Sequence, residues 1–304
     1  MNTYLSSSIH TINADKKIGP LKKFIWLITN IINNYLFPNF SSGFEIRNFC
    51  PEVNENDFSR LDLKSSLLRI LCDLFWLKIN WRDIKRELGD INILDIGCGS
   101  GQYGIKLQQF SDGLISSYYG IDNAFSANWE KVQEKHTYIK FRECNSDNFF
   151  KFIPENTNLF ITQSAIEHFE SDLLFFQHIY TYIKNTSKNI LQIHLFPSAA
   201  CLTLYLFHGL RQYTPRTVSK IVSIFTQINS HSILFKLGGP TCNKLHFQFI
   251  TKPFLTERKD YREIKAEEYK AKSIKAVLKD LKSDNNTPSF YALIIHSNFN
   301  EKLF

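Results

Sequence analysis

The chain lacks any run of about 18 or more apolar residues, so a membrane-spanning helix is not expected. Its first twenty residues are too polar for a secretory signal. The six cysteines (Cys50, Cys72, Cys98, Cys144, Cys201 and Cys242) include no C-x-x-C pair and no zinc spacing, which argues against a zinc module and against a disulfide framework. They read as free thiols in a reducing compartment, and a cytoplasmic location is expected. A concentrated basic stripe is also missing. Net charge is +7, but lysines and arginines alternate with acids, so nucleic acid is a disfavoured partner. There is no internal repeat and no low-complexity linker. With 304 residues and 43% apolar content, the chain can bury a full core as one large domain, or one domain with an appendage.

What is present is a glycine-punctuated stretch around which the chain is organised. The apolar run Ile91 to Ile96 stops at three glycines spaced by two, Gly97, Gly99 and Gly101. The run has the length of a buried strand, and glycine is needed where backbone takes positive φ or touches a ligand. The pattern predicts strand, turn and helix, with a ligand on the turn and the helix N-terminus. Gly99 to Gly104 also satisfies G-x-G-x-x-G, with Asp122 closing a second strand 18 residues on, as in dinucleotide-binding proteins.

Before the glycines, residues 1–20 read as a mobile polar arm. From Leu21 to Phe37, Phe24, Ile28, Ile31 and Tyr35 repeat at helical spacing behind Lys16, Lys17, Lys22 and Lys23. This helix is expected to pack across the domain, with peripheral membrane contact as the alternative. Pro38 should end it, Asn39 to Phe58 reads as a loop, and helices are expected over Ser59 to Ile79 and Trp81 to Leu88. After the glycine turn, helices over 102–110, 127–135 and 172–183 (capped by Ser171) alternate with strands over 116–121, 137–143, 159–163 and 189–195. Such alternation implies a parallel doubly wound sheet. Thr214 and Pro215 open a helix to about Phe225. Further strands are expected over 232–237 and 289–296. Between them, Glu257 to Lys282, with nine basic and six acidic side chains, reads as one solvated helix.

The string Leu94-Asp95-Ile96-Gly97-Cys98-Gly99-Ser100-Gly101 resembles the first motif of class I S-adenosylmethionine-dependent methyltransferases. The resemblance runs from about Ile91 to the C-terminus and weakens beyond Gln163. It implies an α/β fold with a mostly parallel seven-stranded sheet. It also implies an N-terminal helical extension or lid (1–89), then a methyltransferase domain (90–304) with a helical insertion near 198–230. S-adenosylmethionine would be held at Asp95, Gly97, Cys98, Gly99 and Gly101. The remaining contacts would come from Asp122 (ribose hydroxyls), Asn123 (adenine), Asn145 and Ser146 (with Asp147 as the alternative to Asn145), and Gln163 (methionine end). A carboxylate suits two vicinal hydroxyls because it offers two acceptor oxygens. Asp95 argues against a nicotinamide cofactor, whose pyrophosphate would lie close to it.

Glu167-His168 resembles the Glu-His that follows the fourth strand in many small-molecule and sugar methyltransferases. His168, or His194 after it, is the candidate base for an acceptor hydroxyl. A metal at Glu167, His168 and His194 would resemble plant small-RNA 2′-O-methyltransferases. Ser164 stands where that family needs another glutamate, so no metal is expected. A purely loop-orienting role for Glu167 and His168 stays open. Glu167, His208, Arg211 and Tyr213 are the candidate acceptor-side residues, and the absence of an Asn-Pro-Pro-Tyr-like motif disfavours amino methylation. The reading is methyl transfer to an oxygen of a small molecule or glycan. An NAD(P)-dependent oxidoreductase and a non-catalytic cofactor-binding scaffold are the alternatives.

Overall fold

A computed structural model describes residues 5–36, 43–284 and 286–304. Eight strands form one sheet: β1 (Glu45–Asn48), β2 (Ile91–Ile96), β3 (Ile115–Asp122), β4 (Ile139–Glu143), β5 (Leu159–Gln163), β6 (Ile190–Pro197), β7 (Ser230–Leu237) and β8 (Phe290–Ser297). Their order is β1-β7-β8-β6-β5-β2-β3-β4. All pairings are parallel except those of β8, which runs antiparallel to both β6 and β7. Every residue of β2, β5, β6 and β8 is buried, as expected for strands covered on both faces.

The chain leaves β2 toward β3 and β4 on one side and returns through β5 and β6 on the other. The topological switch therefore lies between β2 and β5, where ligands bind outside the carboxyl ends of strands. One face of the sheet is covered by helices that include Leu67–Lys78, Gln102–Phe110 and Ala266–Asp280, and the other by helices that include Asp172–Lys184 and Pro215–Val222.

Several expectations are corrected. The sheet has an eighth strand, β1, inside the segment read as a loop. Its alternation is invisible because it lies on an edge and is largely exposed. The helix expected from Ser59 starts at Leu67 behind the Ser66 cap, after a separate short turn of helix, Glu55–Ser59, capped by Asn54. Ser171 occupies the N-cap of its helix but makes no side-chain cap bond. The charged segment from Glu257 is not one helix: Glu257 ends the helix Lys252–Glu257, and two further helices follow. Arg258 takes a left-handed conformation (φ 57°), and Asp260 caps a new start at Tyr261 before the main helix Ala266–Asp280. Pro38 and Phe37 lie outside the described residues.

The first helix, Pro20–Ile31, is turned opposite to expectation. Trp26 and Asn30 are its buried residues, and Trp26 Nε1 donates to the Gly209 carbonyl (3.1 Å). Asn30 Nδ2 reaches the Leu210 carbonyl at 3.3 Å. The docking partner offers backbone carbonyls, so the donor-bearing face goes inward and the apolar stripe stays outside.

The N-terminal arm is laid along the domain instead of free. The carbonyl of Leu5 accepts from Leu173 and Leu174 N–H, and Ser7 N–H donates to Asp172 at 2.8 Å. The fully buried Arg211 guanidinium donates to Ser8 Oγ (2.8 Å), Ser6 Oγ (2.9 Å) and the carbonyls of Phe169 (2.6 Å) and Glu170 (3.1 Å). It lies 3.4 Å from Asp172, which is equally buried. Removing one member of a buried ion pair leaves the other uncompensated, so Arg211→Ala should cost about 3–5 kcal/mol. Denaturant unfolding should show that loss, with early proteolysis of the arm. A change under 1 kcal/mol would mean that the arm is held elsewhere.

Candidate functional site

The turn after β2 is built by backbone bonds that leave one face open. Gly97 N–H (2.7 Å) and Cys98 N–H (3.1 Å) donate to the Ile121 carbonyl, tying the turn to β3. Gly99 N–H donates to Asp122 Oδ2 at 2.7 Å, and the Gly99 carbonyl accepts from Trp129 Nε1 at 2.8 Å. The three glycines have φ of 86°, 54° and 79°. Side chains at two of them would strike protein: a Cβ at Gly97 would lie 2.4 Å from Ala165 Cβ, and at Gly101 2.3 Å from the Phe141 ring. A Cβ at Gly99 would meet nothing within 4 Å. Gly99 thus borders empty space, and that space is a cleft of about 650 Å³. Gly101, as N-cap of Gln102–Phe110, supplies no side-chain cap, and in the first turn Gly104 N–H donates to the Gly101 carbonyl at 3.3 Å; a helix N-terminus without a side-chain cap favours a ligand carboxylate.

The cleft is walled by residues just past the ends of four neighbouring strands. Gly97 and Gly99 follow β2, and Asp122 and Asn123 close β3. Cys144, Asn145, Ser146 and Asp147 follow β4, and Ser164 and Ala165 follow β5. Ser164 takes a left-handed conformation (φ 53°) to turn the chain. Asn145 Oδ1 accepts from Asp147 N–H at 3.0 Å, so its carbonyl is held within its own turn while the residue still lines the wall.

Asp95 does not line the cleft. It is buried behind the turn, where the Tyr118 hydroxyl donates to Oδ2 and Oδ1 has no partner. Burial raises its pKa to about 7, Tyr118 opposes the rise, and nearby Asp122 adds to it. Its orphaned Oδ1, buried behind the turn, is a polar atom that a cationic ligand group would satisfy.

Several expected residues are placed elsewhere. Cys98 is buried with its sulfur against Gly120, away from the ligand space. Gln163 turns toward the helix Leu67–Lys78, where Trp76 Nε1 donates to its Oε1 at 2.7 Å. His194 is enclosed by Phe175 and Phe176 and bonded to Thr162 Oγ1 at 3.0 Å. Burial lowers its pKa to about 3, and it does not line the cleft. Arg211 is the arm's anchor, and the buried Tyr213 hydroxyl donates to Asp172 (3.0 Å). Neither is free to hold an acceptor.

Other expected residues do converge, through one that sequence reasoning missed. Asp15 Oδ2 lies 2.6 Å from His168 Nδ1, while its Oδ1 accepts from Gly209 N–H at 3.0 Å and lies 3.3 Å from His208 Nδ1. The two imidazole rings meet edge to face at 4.7 Å. Burial opposes protonation of His168, but the bond to Asp15 and the charge of Glu167 outweigh it, and its pKa is raised. The same contacts hold the Asp15 carboxyl well below its usual range against the opposing effect of burial. Glu167 is buried below the pair, its Oε1 3.9 Å from His168 Nε2 and its Oε2 unpartnered. Burial raises its pKa. Glu167, His168 and His208 offer ligand atoms within 4.8 Å of one another, a set that could hold a divalent ion.

On the far side of Asp15 lies a second cleft of about 710 Å³. Asp15 and Lys16 wall both clefts, His168 lines only the first and His208 only the second. The second cleft mixes Phe207, Phe254 and Leu255 with Lys17, Lys23 and Arg258. No signal local to the sequence pairs Asp15 with a histidine 153 residues away.

Residues 94–191 match the methyltransferase-domain family. No curated protein matches the chain. Similar solved structures include a SAM-dependent methyltransferase from Archaeoglobus fulgidus (15% identity, 80% of this chain and 100% of that one, TM-score 0.45). The plantazolicin methyltransferase BamL, in complex with a triazolic desmethylPZN analog and SAH, is another (14%, 80% and 88%, 0.41). Phosphoethanolamine N-methyltransferase 2 of Haemonchus contortus, in complex with S-adenosyl-L-methionine, is a third (14%, 81% and 60%, 0.42).

The glycines give a paired test. Gly99→Ala meets only ligand space and the left-handed backbone, so it should cost about 1–2 kcal/mol of stability but lower cofactor affinity at least tenfold. Gly101→Ala should mainly destabilise, because Phe141 must move. Thermal unfolding and calorimetric titration with S-adenosylhomocysteine separate the two. Wild-type affinity in Gly99→Ala would place the ligand away from the turn.

Proposed function

We propose that the chain is a class I S-adenosylmethionine-dependent methyltransferase that moves the cofactor's methyl group to an oxygen of a small molecule or glycan seated beside His208, a reading supported by the match of residues 94–191 to the methyltransferase-domain family. The observation that carries this reading is the Asp15–His168–His208 cluster on the partition between two clefts. Gly97, Gly99, Asp122, Asn123, Asn145 and Ser146 would hold the cofactor in the first cleft, and the orphaned oxygen of Asp95 behind the turn would favour its ammonium group through charge. When bound, the cofactor supplies a methyl already activated on a positively charged sulfur.

The protein's remaining work is to align the acceptor, exclude water and take a proton. With Nδ1 of His168 directed at Asp15, Nε2 is the nitrogen left to accept a hydroxyl proton. Asp15 and Glu167 then stabilise the imidazolium that forms. Asp15 is thus a positioning residue and His168 the catalytic base. Residues 1–89 act as an extension whose arm closes the cofactor cleft, and the insertion near 198–230 brings His208 to the acceptor side of the 90–304 domain.

His168→Ala should lower turnover by roughly 10²- to 10⁴-fold and leave cofactor affinity within a few-fold. Because the His168 pKa is raised from its ordinary 6.5, wild-type turnover should climb with pH through an inflection above 6.5. Asp15→Asn should move that inflection down and lower kcat more than it raises KM. The sign for stability is opposite: the pair's contribution is full below 6.5 and is lost as pH rises through the folded-state value. Turnover that is unchanged in His168→Ala rules out the base. Activity abolished by chelator and restored by a divalent ion assigns Glu167, His168 and His208 to a metal instead.

A further inference from the structure

The first helix exposes what a helix of a water-facing surface would bury. Leu21 (71% exposed), Phe24 (62%), Ile25, Ile28 and Ile31 form one continuous face along Pro20–Ile31, and Tyr35 (60%) and Leu36 extend it. At 1.5 Å rise per residue, the helical face is about 18 Å long. The inward positions are taken by Trp26, Asn30, Asn33 and Asn34. The described residues leave this face open to solvent, and an exposed apolar strip of this length marks an interaction site.

The charge carried by the helix and its lead-in has one sign, although Lys16 is paired with Glu170 at 3.4 Å. Residues 16–36 contain Lys16, Lys17, Lys22 and Lys23 and no aspartate or glutamate. Across the second cleft, the helix Lys252–Glu257 presents Phe254 and Leu255, both at least half exposed, and Arg258 lies over the Phe254 ring at 5.4 Å. Lys23 similarly lies 5.1 Å from the Phe207 ring centroid. Apolar side chains with cations at their base match the boundary of an anionic bilayer, where acyl chains take the apolar face and headgroups take the lysines. No helix among the described residues is long and apolar enough to cross a membrane, so the contact would be with one leaflet.

We propose that the helix Pro20–Ile31, with its lysines and the Phe254–Leu255 corner, docks this protein on the surface of an anionic lipid bilayer. The second cleft, bordered by Lys23, Phe254 and Leu255, then opens at that surface. An acceptor reaching it from the bilayer would be an amphiphile with an anionic group, and this last step rests on the acceptor side assigned above.

The test is co-sedimentation of the full chain with vesicles of phosphatidylcholine alone and with about one-third phosphatidylglycerol. Binding to the anionic vesicles should be about tenfold tighter or more and should weaken with added salt. Phe24→Asp with Ile28→Asp, both outside the clefts, should abolish it while leaving the melting temperature and S-adenosylhomocysteine affinity in vesicle-free buffer unchanged. Absence of binding to either vesicle overturns the proposal. So does equal binding by the double variant. A concentration-dependent dimer in vesicle-free buffer that the double variant dissolves also overturns it, by making a second copy the occupant. Cofactor titration without vesicles reads the methyltransferase site separately, so failure of one does not mimic failure of the other.

Discussion

Arg211 and Asp172 lie 3.4 Å apart with both side chains fully out of water, and the geometry of the cleft mouth follows from them. A buried guanidinium is tolerated only when its donors are satisfied, and here two serine hydroxyls of the N-terminal arm and two loop carbonyls share that task. The arm is fixed at Ser6 to Ser8 and then runs to Asp15. There its carboxylate meets His168, His208 and the Gly209 N–H. Asp15 itself is about one-third exposed, so its ion pairs add little stability after screening by solvent. Its effect is positional: it fixes which imidazole nitrogen is occupied and draws two histidines from different loops to one partition.

The glycine turn and the alternating strands and helices were legible because both rest on local rules. Positive φ demands glycine, and a parallel sheet demands a helix between strands. Gln163 and His194 were not, for a reason inherent in the fold. β5 and β6 are buried on both faces, so no apolar–polar alternation tells which face a side chain takes. Gln163 turned to Trp76 and His194 to a phenylalanine pocket. Arg211 was misjudged because charge suggests exposure, whereas here it is the centre of a hydrogen-bond cage. Asp15 and β1 depend on contacts far apart in sequence. The orientation of the first helix depends on the Gly209 and Leu210 carbonyls, which helical periodicity cannot foresee.

The proposed function divides the chemistry between the two clefts. The first is lined by strand ends and glycines, suits a ligand that the backbone must approach closely, and has a buried carboxylate behind it. The second is made by the arm, the segment 204–208 and the residues around Phe254, and combines aromatic with cationic side chains. Between them stand a base candidate and its orienting carboxylate. On the proposed reading, a sulfonium methyl needs no further activation, and proton transfer at the partition is the one further step that an oxygen acceptor would ask of the protein.

The most direct test is the crystal structure of the complex with S-adenosylhomocysteine. The account predicts the ribose at Asp122, the amino acid end over Gly97 and Gly99, and the sulfur directed past His168 toward the cleft that His208 lines. A ligand whose sulfur faces away from the Asp15 partition, or one seated in the second cleft, would contradict it.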